Sequence, residues 1–79
     1  MNELSRQLKR KFTEHSKRGF TQSELAISIL RVNVATAGNW LRGNTRITGT
    51  NNVAVVQLYI AGDFDDRVDE LIREKGGTA

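Results

Sequence analysis

Thr21 to Gly43 reads TQSELAISILRVNVATAGNWLRG, and this stretch decides the fold. Thr21 opens a Thr-x-x-Glu pattern with Glu24. This is a capping box, in which each side chain satisfies a free amide of the other residue at a helix N-terminus. Leu25, Ala26, Ile29 and Leu30 follow on one apolar face at helical spacing. Val32 then reads as a buried turn residue, and Asn33 has the short acceptor side chain that caps a second helix. Ala35, Thr36, Ala37 and Gly38 are small enough to let that helix lie close to another surface, and Trp40 and Leu41 close it on the core side. The pattern predicts helix over residues 22–30, a turn, and helix over residues 34–41. That arrangement is a helix-turn-helix.

Upstream, Leu4, Leu8 and Phe12 lie at i, i+4 and i+8 and give a buried stripe to a first helix over residues 2–17. Arg6, Lys9, Arg10, Lys11 and the sole histidine, His15, are expected on its solvated surface. Gly19 ends this helix, and Phe20 is placed to staple the start of the next by packing near Leu25. Downstream comes a donor-rich loop, Arg42-Gly43-Asn44-Thr45-Arg46. A fourth helix is expected from about Asn51 through Val53, Val55, Val56, Leu58, Tyr59 and Ile60, ending at Gly62. The β-branched content of this segment keeps a strand open as the alternative, which would make the C-terminal half partly β. A last helix over residues 63–74 puts Phe64, Val68, Leu71 and Ile72 on one face. Asp63, Asp65 and Asp66 fall in its first turn, where acids complement the helix dipole. Residues 76–79 read as a frayed tail. The expected fold class is therefore all-α, a small five-helix bundle forming a single domain over residues 1–75.

Composition agrees with a small helical domain. The 79 residues can bury only a modest core, and the absence of proline leaves helix favoured throughout. There is no cysteine, hence no disulfide framework and no thiolate metal site, which suits a reducing cytoplasm. No apolar stretch is long enough for a signal peptide or a membrane span, so a cytoplasmic protein is expected. Charge is unevenly placed. Residues 1–46 hold nine Lys/Arg against three acids, a net of +6, and residues 47–79 hold three against six, a net of −3. A basic half containing a helix-turn-helix is the expected footprint for a phosphate backbone, with the acidic half turned away from it.

In the order Thr21, Gln22, Leu25, Ala26, Val32, Ala37, Trp40 and Gly43, the chain resembles the Cro/repressor (Xre-type) helix-turn-helix family of phage and bacterial transcription regulators. Two departures stand out. Val32 lies six positions after Ala26, one more than in the family pattern, so the first helix or its turn must be longer. Arg31 stands where that family has glycine, so the left-handed turn that glycine permits must be made differently. The resemblance implies a lambda-repressor-like bundle whose second motif helix enters the major groove of double-stranded DNA. It implies that Val34, Ala35, Thr36 and Asn39 face the bases or the groove wall. Asn39 alone could make a bidentate contact, matched to adenine, while Val34 and Ala35 offer apolar contact to thymine methyls. This is a thin direct code, and an A/T-biased half-site read partly through DNA shape is expected.

Phosphate contacts are expected from Gln22, at the start of the first motif helix, and from Asn33. Arg42, Asn44, Thr45 and Arg46 just past the recognition helix should join them, as should Arg10, Lys11, Lys17 and Arg18 on the other side. Six to eight such neutralised phosphates would give a log-affinity against log-salt slope of about −5 to −7. One domain covers little groove, so a homodimer on an inverted repeat is expected, with half-sites about 34 Å apart. Phe64, Val68, Leu71 and Ile72 are the candidate dimer interface, the competing role for that stripe being closure of the domain's own core. The runner-up is a protein-interaction module, or an antitoxin-like adaptor on the same scaffold. Catalysis is not expected, because the chain carries no Gly-rich phosphate loop after a strand, no His/Asp/Glu set at metal-ligand spacing and no paired-carboxylate signal beyond the acidic start of the last helix. Nor is a cofactor, a metal or a small-molecule ligand.

Overall fold

A computed structural model describes residues 2–76. Within them the chain is all-helical: α1 (Glu3–Ser16), α2 (Gln22–Glu24), a π-helical segment (Leu25–Leu30), α3 (Val34–Arg42), α4 (Thr50–Ala61) and α5 (Asp65–Gly76). α1 packs against α3 and α4, and the π segment packs against the same two helices, so the motif is backed by a layer made of α1 and α4. Leu8, Phe20, Leu25, Ala26, Trp40, Val56, Tyr59 and Val68 meet in a single core.

Local chemistry sets the helix ends. The Asn2 side chain accepts from Ser5 N at 2.8 Å and caps α1. The capping box forms as read: Thr21 N donates to Glu24 Oε1 at 3.0 Å and Glu24 N donates to Thr21 Oγ1 at 3.2 Å. Asn33 caps α3 by accepting from Thr36 N at 2.7 Å, and Gly43 closes it with φ 77°. α5 begins later than expected, at Asp65, which leaves Asp63 outside its first turn. Gly76 still belongs to α5, and residues 77–79 of the expected tail lie outside the described residues.

The strand alternative for residues 51–61 is overturned: α4 is a regular helix despite its β-branched residues. Val56 and Tyr59 are fully buried at i and i+3, with Val53 and Ile60 packed beside them. That is a helical stripe docked on α1, and burial of such a face outweighs an intrinsic preference of a few tenths of a kcal/mol per residue.

The π segment accounts for both departures in the motif. Arg31 N donates to Ala26 O across five residues, where an α-helix would span four. Each such turn absorbs one extra residue without breaking the helix. The additional residue between Ala26 and Val32 is thus wound into the helix, and Val32 N also reaches Ala26 O at 2.9 Å. The expectation that Arg31 would force a different turn is corrected: Arg31 itself adopts the left-handed conformation, φ 59° and ψ 44°. A side chain bearing a Cβ is disfavoured there by roughly 1–2 kcal/mol. Arg31→Gly removes that penalty, partly offset by the greater freedom of glycine in the unfolded chain. The expected outcome is a stabilisation of about 0.5–1 kcal/mol, read as a rise in the urea midpoint at constant slope. A fall in the midpoint would show that the Arg31 side chain contributes more than its backbone costs.

Candidate nucleic-acid interface

The outward face of α3 carries Ala35, Asn39 and Arg42 at i, i+4 and i+7, with Thr36 half-buried at its edge. Ala35 and Arg42 are exposed. Arg42 Nη2 donates to Asn39 Oδ1 at 3.1 Å, which orients the amide while leaving its NH2 and a second oxygen lone pair for another partner. Val34, expected to face the bases, is half-buried like Thr36 and Asn39, with part of its side chain packed against the core.

Gln22 is also placed differently. Its Nε2 donates to Val34 O at 3.2 Å, making the side chain a strut from α2 to the first turn of α3. The strut crosses the backbone at Gly38, where a Cβ would lie 2.7 Å from Gln22 Nε2 and 3.2 Å from Arg42 Nη1. Sequence reasoning saw only a small residue at Gly38. The available signal was a glycine in a helix interior, which costs up to about 1 kcal/mol against alanine and calls for a packing reason.

Arg42, Asn44, Thr45 and Arg46 are all exposed around the C-terminus of α3. Among the described residues, Arg31, Arg42 and Arg46 make no ion pair, and neither do Arg10 and Lys17. Lys11 and Arg18 are different. Lys11 Nζ lies 3.2 Å from Asp65 Oδ1, and Arg18 Nη2 lies 2.7 Å from Asp69 Oδ1. Lys75 likewise pairs with Glu24. The charge segregation along the chain is therefore partly internal, since α5 folds its acids back onto the basic half. Lys11 and Arg18, expected on phosphates, are ion-paired to α5, whereas Arg42 and Arg46 at the end of α3 and Lys9, Arg10 and Lys17 along and just past α1 make no ion pair among the described residues.

On α5, Val68 is 0% exposed and belongs to the core, with Phe64, Leu71 and Ile72 half-buried against it. Val68 is thereby corrected to a core residue, since a side chain enclosed by its own domain has no surface left for a second copy, while the other three keep part of theirs exposed.

His15, expected on the surface, is 6% exposed. Its Nδ1 lies 2.6 Å from Tyr59 Oη, and its Nε2 lies 3.4 Å from Asp65 Oδ1. Burial, followed by the carboxylates of Asp65 and Glu14, raises the Tyr59 pKa well above its ordinary value, so the hydroxyl keeps its proton. The acceptor carboxylate of Asp65 facing Nε2 favours the tautomer with hydrogen on Nε2, in which Nδ1 accepts from the Tyr59 hydroxyl. His15 ties α1, α4 and α5 together. Burial lowers the His15 pKa, Lys11 and Arg18 lower it further, and Asp65 and Asp69 oppose them. A depressed folded pKa means that this stability is present above the ordinary value of 6.5 and is lost as pH falls through the folded value. The thermal midpoint is expected to fall between about pH 7.5 and pH 5.5 in the wild type and to stay flatter in His15→Gln. Equal pH profiles would show that His15 titrates alike in both states.

Among the described residues, no group of three or more His, Cys, Asp or Glu could hold a metal ion. No helix among them is long and apolar enough to cross a membrane. Comparison with family models, with curated proteins and with solved structures finds no match to this chain.

Proposed function

We propose that this protein is a sequence-specific double-stranded DNA-binding transcription regulator, Cro-like in design, with α3 lying in the major groove and two chains on an inverted repeat. The observation that carries the reading is the face of α3. Ala35, Thr36, Asn39 and Arg42 form a shallow polar stripe on a helix capped at both ends. It runs directly into Arg42 and Arg46, which have no acidic partner among the described residues. Small residues let the helix backbone approach base edges, and cations at its end meet the flanking phosphates. Asn39, held by Arg42, reads adenine through N6 and N7, while the Ala35 methyl meets a thymine methyl. Gln22 contributes by fixing α3 against α2, with its second amide hydrogen still available to a phosphate. With so few base-reading groups, discrimination rests heavily on DNA shape and on pairing two half-sites.

Selection from random duplex DNA at about 100 mM salt tests this reading. The expected product is an A/T-biased inverted repeat bound by two chains. Asn39→Ala is expected to cost about 1–3 kcal/mol on the selected site and to relax preference at one base. Equal losses on selected and random DNA would remove Asn39 from base reading. Recovery of no motif would favour a protein-interaction module, the reading that Ile27 supports by standing 59% exposed on the π segment.

A further inference from the structure

Two cations of the basic half face acids of the same chain. Asp65 and Asp69 lie at i and i+4 on α5, so they share a face with Cβ atoms about 5–6 Å apart. Each meets one cation. Lys11 Nζ lies 3.2 Å from Asp65 Oδ1, and Arg18 Nη2 donates to Asp69 Oδ1 at 2.7 Å. Arg10 and Lys17, their neighbours in the chain, are exposed and make no ion pair among the described residues. Arg18 also stands just ahead of Thr21, the cap of the first motif helix. Neighbouring phosphates of one strand repeat negative charge at a similar step.

We propose that Asp65 and Asp69 are an internal stand-in for phosphate, masking a second phosphate-binding strip formed by Lys11 and Arg18. In the resting protein the mask lowers affinity for every duplex alike, and withdrawal of the carboxylates turns both cations over to the backbone. That the phosphates belong to a duplex rests on the DNA-binding reading; the masked site itself does not. The ion pairs are not what anchors α5, because Val68 sits in the core with Phe64, Leu71 and Ile72 packed against it. The Arg18–Asp69 pair is washed by solvent, its side chains 53% and 38% exposed. Such a pair contributes little to stability, and it changes partner without removing either charge from water. The Lys11–Asp65 pair is poorly made. Asp65 Oδ1 is enclosed and accepts no hydrogen bond among the described residues, and Lys11 Nζ donates to Oδ2 only at 3.4 Å. A phosphate offers each cation a charge-assisted hydrogen bond and releases counterions as it does so.

The test is a titration of random duplex at several salt concentrations with wild type, Asp69→Asn, Arg18→Gln and the double variant Asp69→Asn/Arg18→Gln. Asp66→Asn is the charge-matched control, since Asp66 is exposed on α5 and makes no ion pair among the described residues. Asp69→Asn is expected to steepen the salt slope by about 0.9 and to bind about three- to tenfold more tightly near 0.1 M salt. Arg18→Gln is expected to leave the wild-type slope unchanged and to abolish the gain in the double variant. A gain that survives Arg18→Gln, or that Asp66→Asn reproduces, would be general relief of repulsion and would overturn the proposal. Absence of any gain would overturn it too. Inorganic triphosphate decides the case in which no form binds duplex, read at the side-chain Nε–H resonance of Arg18. A shift in Asp69→Asn but not in the wild type would keep the masked site and remove the operator reading. Equal responses in the two proteins would overturn the masked site.

Discussion

Val68→Glu is expected to leave little folded protein at 25 °C, because the substitution removes a fully enclosed side chain and puts a carboxylate in its place. Domains of this size have a total stability on the order of 4–12 kcal/mol. Losing the apolar contacts of Val68 costs about 1.5–3 kcal/mol. A charge without a partner in the same position adds several more, so the sum reaches the range of the whole. Val68→Ala, which leaves only a small cavity, is expected to remain folded with a lower thermal midpoint. Circular dichroism and size-exclusion chromatography on both variants check this. A folded, monomeric Val68→Glu would mean that α5 detaches from the core and that its stripe serves a partner after all.

Arg42→Gln/Arg46→Gln carries the largest expected effect on binding. Each cation that neutralises a phosphate contributes about 0.9 to the slope of log affinity against log salt. The double variant is therefore expected to flatten that slope by about 2 per bound chain and to weaken binding by one to two orders of magnitude near 0.1 M salt. Stability should hardly change, since both residues are exposed and make no ion pair among the described residues. The single variants separate two roles. Arg46→Gln is expected to weaken all duplexes alike. Arg42→Gln also frees Asn39 Oδ1 from its 3.1 Å hydrogen bond and should blur base preference. An unchanged salt slope in the double variant would move the phosphate contacts elsewhere. Lys11→Gln/Arg18→Gln is the matched control: both pair with α5, so their loss should affect the α1–α5 contact more than the slope.

The caps were legible because they are local. Asn2, Thr21 with Glu24, and Asn33 each act within three residues, and a short acceptor side chain at a helix start has few other uses. The helices from Glu3 to Arg42 followed from apolar spacing for a similar reason. α4 was ambiguous because its valines fit a strand by propensity, and only docking on α1 makes the helical face the buried one. The direction of Gln22 and the burial of Val34 were not legible, since both depend on how closely α2 approaches α3 over Gly38.

What the sequence by itself determined is the order and ends of the helices through α3 and the small-residue surface of α3, because helical periodicity and capping depend on neighbours within about four residues. The tertiary structure alone decided which charges remain free and which histidine environment forms. Lys11, His15 and Arg18 are brought against Asp65 and Asp69, 50 or more residues away, by the return of α5. It likewise decided that Val68 is core and that the uncharged side of α4 faces outward. A local pattern reveals that a face is apolar, but which of two apolar faces is covered depends on the packing of elements far apart in the chain.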